Sequence, residues 1–139
     1  MKRFFILVAA VAALTLIGCT ESDYAKRGKE MAAQLDQAVE KQDKDAALAV
    51  DKAIREAEQE IMALNDSAAI ADFREALRES RQRNTPFLTK IKVESGVDRE
   101  EAVKEVTQDV MNGDVDIQAV TASIDSLLKV EEQQQKKKK

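Results

Sequence analysis

The sequence predicts an all-α protein, a small antiparallel bundle of four to five helices that follows an N-terminal apolar segment. Three observations predict it. Beyond residue 22, apolar residues recur at alternating steps of three and four, the period of a helix face. Charged residues make up 35% of the 139, and one Pro stands among four Gly, a composition suited to long helices. Cap and turn residues interrupt the pattern at short intervals, which makes sequential helices antiparallel neighbours.

The first helical pattern is Tyr24, Gly28, Met31, Leu35 and Ala38, a helix from near Asp23 to Lys41. Gly28 weakens it by about 1 kcal/mol relative to Ala. Gln42-Asp43-Lys44-Asp45 reads as a turn in which Asp43 or Asp45 caps the next helix, or as uninterrupted helix. Ala47, Val50, Ile54, Ala57, Ile61 and Leu64 then form one seam. Asn65-Asp66-Ser67 supplies a break and a cap before Ile70, Phe73 and Leu77, a pattern that runs to about Arg83.

Thr85 and Pro86 read as the N-cap and first position of a new short helix. A kinked continuation is the alternative, and the alternation of Phe87, Thr89, Ile91 and Val93 also allows a short strand. Helix is preferred because no second strand exists to pair with it. Gly96 ends this element. Asp98 with Glu101 gives a cap signal, with Val97 able to staple onto Ala102. Val103, Val106 and Val110 line the next helix until Asn112-Gly113 closes it. Asp114 or Asp116 opens the last one, with Ile117, Val120, Ile124 and Leu127 as its seam.

Composition excludes several function classes. His is absent, which removes the commonest general base and the favourite zinc ligand. A single Cys permits neither an intrachain disulfide nor a Cys-rich metal site. Net charge is −4 and aromatics are 4%, so neither the field nor the stacking surfaces suit nucleic acid. No cofactor is implied.

The N-terminus reads as an address. Lys2 and Arg3 precede an apolar run from Phe4 to Ile17 broken only by Thr15. That run is short for a bilayer span and right for a signal-peptide core. Leu16-Ile17-Gly18-Cys19 resembles the lipobox of bacterial lipoprotein precursors, a likeness carried by the first 19 residues alone. The resemblance implies cleavage between Gly18 and Cys19, with diacylglycerol on the Cys19 thiol and acylation of the new amine. Two or more chains anchor a protein stably where one does not. Thr20 after the Cys, rather than Asp, resembles enteric lipoproteins sorted to the outer membrane. The acidic Glu21-Ser22-Asp23 is loosely similar to export signals of surface lipoproteins in Bacteroidetes.

The expected organisation is therefore a signal peptide at 1–18, a lipidated tether at 19–22, a helical domain at 23–131 and a disordered Gln/Lys tail at 132–139. The mature chain has 20 basic and 26 acidic residues. Without Lys136, Lys137, Lys138 and Lys139, its body carries −10. Those four lysines suit contact with an anionic surface, at about 1 kcal/mol each. The arrangement of lipobox, helices and terminal Lys also resembles the murein lipoprotein of enteric bacteria, which implies linkage of Lys139 to peptidoglycan. Pro86, Gly96 and Gly113 depart from that protein's continuous coiled coil.

Other candidates have plainer readings. Glu56 with Glu60, and Glu100 with Lys104, fall on exposed helix faces, where no carboxyl pKa is raised for acid catalysis. Asp43-Lys44-Asp45 and Asn112-Gly113-Asp114-Val115-Asp116 faintly resemble calcium loops but lack the EF-hand offsets. Arg74, Arg78 and Arg81 form a stripe, with Arg83 close by, that could meet phosphate, lipid A or an acidic glycan. Pairing of Glu75 with Arg78 and of Glu79 with Arg83 favours a solvated face.

The expected function is that of a non-enzymatic envelope lipoprotein, held by lipid on Cys19, whose bundle binds a protein partner or itself. The alternative is a structural link between membrane and peptidoglycan. A third reading, a carboxylate-dependent hydrolase, requires two buried acids facing one cleft.

Overall fold

Among the described residues five helices form, set by local start and stop signals and by a face able to leave water. The computed structural model describes residues 21–137: α1 (Asp23–Glu40), α2 (Lys44–Met62), α3 (Ser67–Glu94), α4 (Arg99–Met111) and α5 (Ile117–Lys137). The expected signal peptide at 1–18, the expected lipidation site Cys19, and Lys138 and Lys139 lie outside the described residues. No helix among the described residues is long and apolar enough to cross a membrane.

Side-chain oxygens cap the first three helices. Ser22 accepts from the Ala25 amide, Asp43 from Ala46, and Asp66 from both Ala68 and Ala69. Asp98 occupies the same position before α4 but makes no side-chain capping bond. It is exposed, so water can serve the first amides there. Gly96 and Gly113 sit at φ +112° and +81°. At Gly113 the Asp114 amide donates to the Asp109 carbonyl and the Gly113 amide to Val110, a Schellman closure.

Pro86 does not begin a helix, nor do residues 87–93 form a strand. α3 runs through the proline for 28 residues. The Thr85 hydroxyl, instead of capping forward, donates back to the Arg81 carbonyl, and Thr89 donates to Thr85 at 2.9 Å. Asn84, Thr85, Leu88, Thr89 and Ile91 are all buried around the proline. That burial outweighs a local penalty of about 3 kcal/mol.

The contacts fix direction and register. Ser22 donates to Asp72 at 2.7 Å, and Asp36 accepts from Ser80 and Asn84, so α1 and α3 run parallel. The Asp116 amide donates to Gln82 and Thr89 meets Ser123, so α3 and α5 are also parallel. α2 and α4 return in the opposite sense, as the Arg27–Glu60 and Arg99–Glu131 pairs require. Each helix is thus antiparallel to the next. At 1.5 Å per residue, the path from Ser22 through Thr89 and Ser123 to Lys137 covers about 45 Å along the bundle.

The principal core joins α1, α2 and α3 through Leu35, Ile54, Ile61, Phe73, Leu77 and Ile91, among others. The seam expected on α2 holds as far as Ile61. Leu64 instead projects into solvent, because α2 ends at Met62 and Asn65 turns the chain at φ +56°. The core of α4 and α5 is small: Val106, Val115 and Ala119, with Val110 and Val120 partly covered. Here the expected seam holds at Leu127 and partly at Val120 but is otherwise rotated. Ala119, Ser123 and Leu127 face inward, while Ile117 is 63% exposed and Ile124 lies outside too. Small Ala and Ser side chains let α5 approach α3, and the Gln82 and Thr89 contacts hold that rotation. The Gln/Lys tail is also corrected: 132–137 continue α5 as helix.

Gly28 faces α3 so closely that an added Cβ would lie 2.7 Å from the Ala76 Cβ and 2.9 Å from the Phe73 carbonyl oxygen. Its helix-weakening cost is therefore the condition for the α1–α3 contact. Gly28→Ala should destabilise the fold by about 1–3 kcal/mol, despite its better helix propensity, through overpacking. Urea denaturation checks the sign; a stabilised variant would contradict the packing.

Candidate functional site

The chemistry concentrates where α2, α3 and α4 converge. Glu58 on α2 faces Arg74 and Arg81 on α3, and Asp51, one heptad before Glu58, faces Lys92 further along α3. Glu105 and Asp109 approach from α4, and Asp114 from the turn after it. Arg55 and Lys92 complete the set. Asp51, Glu58, Arg81, Asp109 and Asp114 are buried.

Arg81, 3% exposed, is the centre. Its Nη1 lies 3.0 Å from Glu58 Oε2 and 3.1 Å from Asp114 Oδ1, and its Nη2 lies 3.4 Å from Asp109. Arg74 flanks it, with Nε 3.2 Å from Asp114 and Nη2 3.5 Å from Glu58. On the other side Arg55 donates twice to Asp109, both bonds at 2.9 Å, and once to Asp51 at 3.2 Å. Lys92 sits 2.8 Å from Asp51 and also touches Glu105.

These contacts correct the reading of the arginine stripe as a solvated face. Arg74 and Arg81 are withdrawn into the bundle, where their partners stand on α2, α4 and the turn after it, and the expected pairs of Glu75 with Arg78 and Glu79 with Arg83 do not form. Arg83 pairs with Asp36 at 2.8 Å, and the Arg78 guanidinium donates to the Gly113 carbonyl at 3.4 Å. Glu56, Glu60, Glu100 and Lys104 are exposed, where they were expected. In the two loops likened to calcium sites, Asp43 caps α2 and Asp114 faces arginine. Among the described residues no group of three or more acids, His or Cys is arranged to hold a metal ion. Lys136 is exposed near the end of α5.

Four cations face five carboxylates, so the fully ionised cluster carries one surplus negative charge. Asp114 bears it. Burial chiefly pushes its carboxyl up to about 6, and adjacent Glu58 adds to this against the pull of Arg81 and Arg74. The guanidinium groups meet Asp114 at angles that make ion contacts rather than hydrogen bonds. A proton on Asp114 neutralises the cluster. Elsewhere burial raises the Asp51 carboxyl, but Lys92 and then Arg55 outweigh it, and its pKa is lowered. Asp36 is likewise lowered, as hydrogen bonds from Ser80, Arg83 and Asn84 overcome its burial.

Glu58 and Asp114 are two buried acids side by side, the first requirement of the hydrolase reading. They face arginines rather than an open cleft. The neighbouring surface hollow, lined by Arg78, Gln82, Val110, Gly113 and Asp116 among others, passes beside them without including either acid. The cluster's chemistry is proton uptake near pH 6 and the joining of α4 to α2 and α3. Its signal in the sequence was the charged residues Asp51, Glu58 and Arg81 standing next to core positions of α2 and α3. No family model, curated protein or solved structure matches the chain.

Stability should depend on pH in two opposing ways. Between the unfolded value of 3.8 and about 6, the native state keeps an Asp114 proton that the unfolded chain has released. Stability therefore falls as pH rises through that window and levels off above it. The lowered Asp51 and Asp36 act oppositely, losing their contribution as pH falls below the ordinary carboxylate value. Asp114→Asn should flatten the slope between pH 4 and 6 in urea titrations; an unchanged slope would contradict the assignment. Arg81→Met takes a buried cation from three carboxylates and should cost about 3–5 kcal/mol, by the same measurement.

Proposed function

We propose that the chain is a lipid-anchored envelope protein whose helical body is a non-enzymatic interaction module. Leu16-Ile17-Gly18-Cys19 carries the anchoring: an apolar run ends at the chain's one thiol, four residues before α1. Thr20 favours the outer membrane over the inner. An interaction role is supported by the line Ile117, Ile124 and Leu128 on α5, which lies open to water. Large apolar side chains aligned on one helix face suit a protein partner or a second copy.

The linker reading keeps one observation in its favour. The C-terminal end of α5 lies at the opposite end of the bundle from Glu21, so a Lys-bearing terminus points away from the N-terminal anchor. Modification of Lys139, detected by mass spectrometry of lysozyme-released peptides, separates that reading from the first.

Cys19→Ser should abolish detergent-phase partitioning of the expressed protein; unchanged partitioning would overturn the anchor. A photo-crosslinking residue at Leu128 should yield a discrete adduct in cells, lost with Ile124→Glu. Absence of any adduct would count against the module.

A further inference from the structure

The end of the bundle that carries the N-terminus also carries two exposed apolar side chains. Leu64 is 58% exposed and Met62 44%, both at the α2–α3 turn, where every residue from Met62 to Ala68 is exposed. The α1–α3 register places this turn. Ser22 is level with Asp72, and Asp66 stands six residues before Asp72 on a parallel helix. The turn therefore extends about 9 Å beyond Ser22 toward the end from which α1 begins.

The slack on the other side is small. Glu21 is ion-paired with Lys29 and so held against the bundle. Cys19 is two residues away, a reach of at most about 7 Å. Any bilayer that receives lipid on Cys19 then lies within the same zone as the turn.

The turn's charges are already engaged, which favours an apolar neighbour. Glu60 pairs with Arg27 at 3.3 Å, and the Asp66 carboxylate accepts from the amides that open α3. Arg74 donates to the Met62 sulfur, which leaves Leu64 as the more open tip.

We infer that the α2–α3 turn is a second membrane contact, with Leu64 and Met62 seated in the lipid interface beside the anchored N-terminus. This rests on the lipid-anchor reading. Two contacts on one end hold the bundle upright, so that α5 directs its C-terminal end away from the surface.

The chain contains no Trp, so a single introduced indole reports its own surroundings. Leu64→Trp and, at the opposite end, Lys41→Trp are expressed as full-length precursors, purified in detergent and reconstituted into phosphatidylcholine vesicles with brominated acyl chains. Circular dichroism checks that both variants fold. At an interfacial depth of about 5–10 Å, the indole of the Leu64→Trp variant should lose about half its fluorescence relative to that of Lys41→Trp, with a blue shift. Flotation of the vesicles reports the anchor separately. Protein that floats with equal quenching in both variants overturns the second contact and leaves the anchor intact. Protein that does not float overturns both.

Discussion

A guanidinium group cannot sit in a protein interior unless carboxylates meet it there, and Arg81 is such a group. Three acids surround it, one from α2 and two from α4 and its closing turn. Through them the last two helices acquire a defined position that their own apolar contacts would not give. The Val106, Val115 and Ala119 cluster is small, and an apolar patch of that size tolerates rotation and sliding. Charges buried at about 3 Å do not. Buried ion pairs contribute little net stability once desolvation is counted, but they penalise every arrangement that leaves one unpaired.

The same requirement propagates to the shape of the molecule. Once Asp114 is held against Arg74 and Arg81, the first turn of α5 must start level with the middle of α3. Gln82 and Ser123 then set its rotation and its parallel sense. Gly28 performs the equivalent service for α1 by permitting contact with the α3 backbone. Three parallel helices separate the first described residue from the last by nearly the full height of the bundle.

Helix limits were largely legible because the signals that set them are local. Asp43, Asp66, Gly96 and Gly113 act within a few residues of themselves, and each ends or begins a helix as its chemistry requires. Pro86 misled because its preference is local too, while the burial of Leu88 and Ile91 that overrides it is not. On α5 the larger residues Ile117 and Ile124 suggested the inner face, yet close helix contact selects small ones, here Ala119 and Ser123. The charge cluster was the least legible feature. Arg74 and Arg81 have acidic neighbours on their own helix, and only the bundle's register reveals that they turn to acids elsewhere. The N-terminal motif, by contrast, is a sequence signal that the described fold does not touch.

The parallel register of α1, α3 and α5, held at α5 by the cluster and at α1 by the Ser22–Asp72 and Asp36–Ser80 bonds, decides the shape of the described bundle. Pulsed electron spin resonance between labels at Asp23→Cys and Gln133→Cys, with Cys19 replaced by Ser, measures it directly. The register requires a separation of about 40 Å in one narrow distribution. A dominant distance below about 25 Å would mean that α5 folds back along α1, and would contradict it.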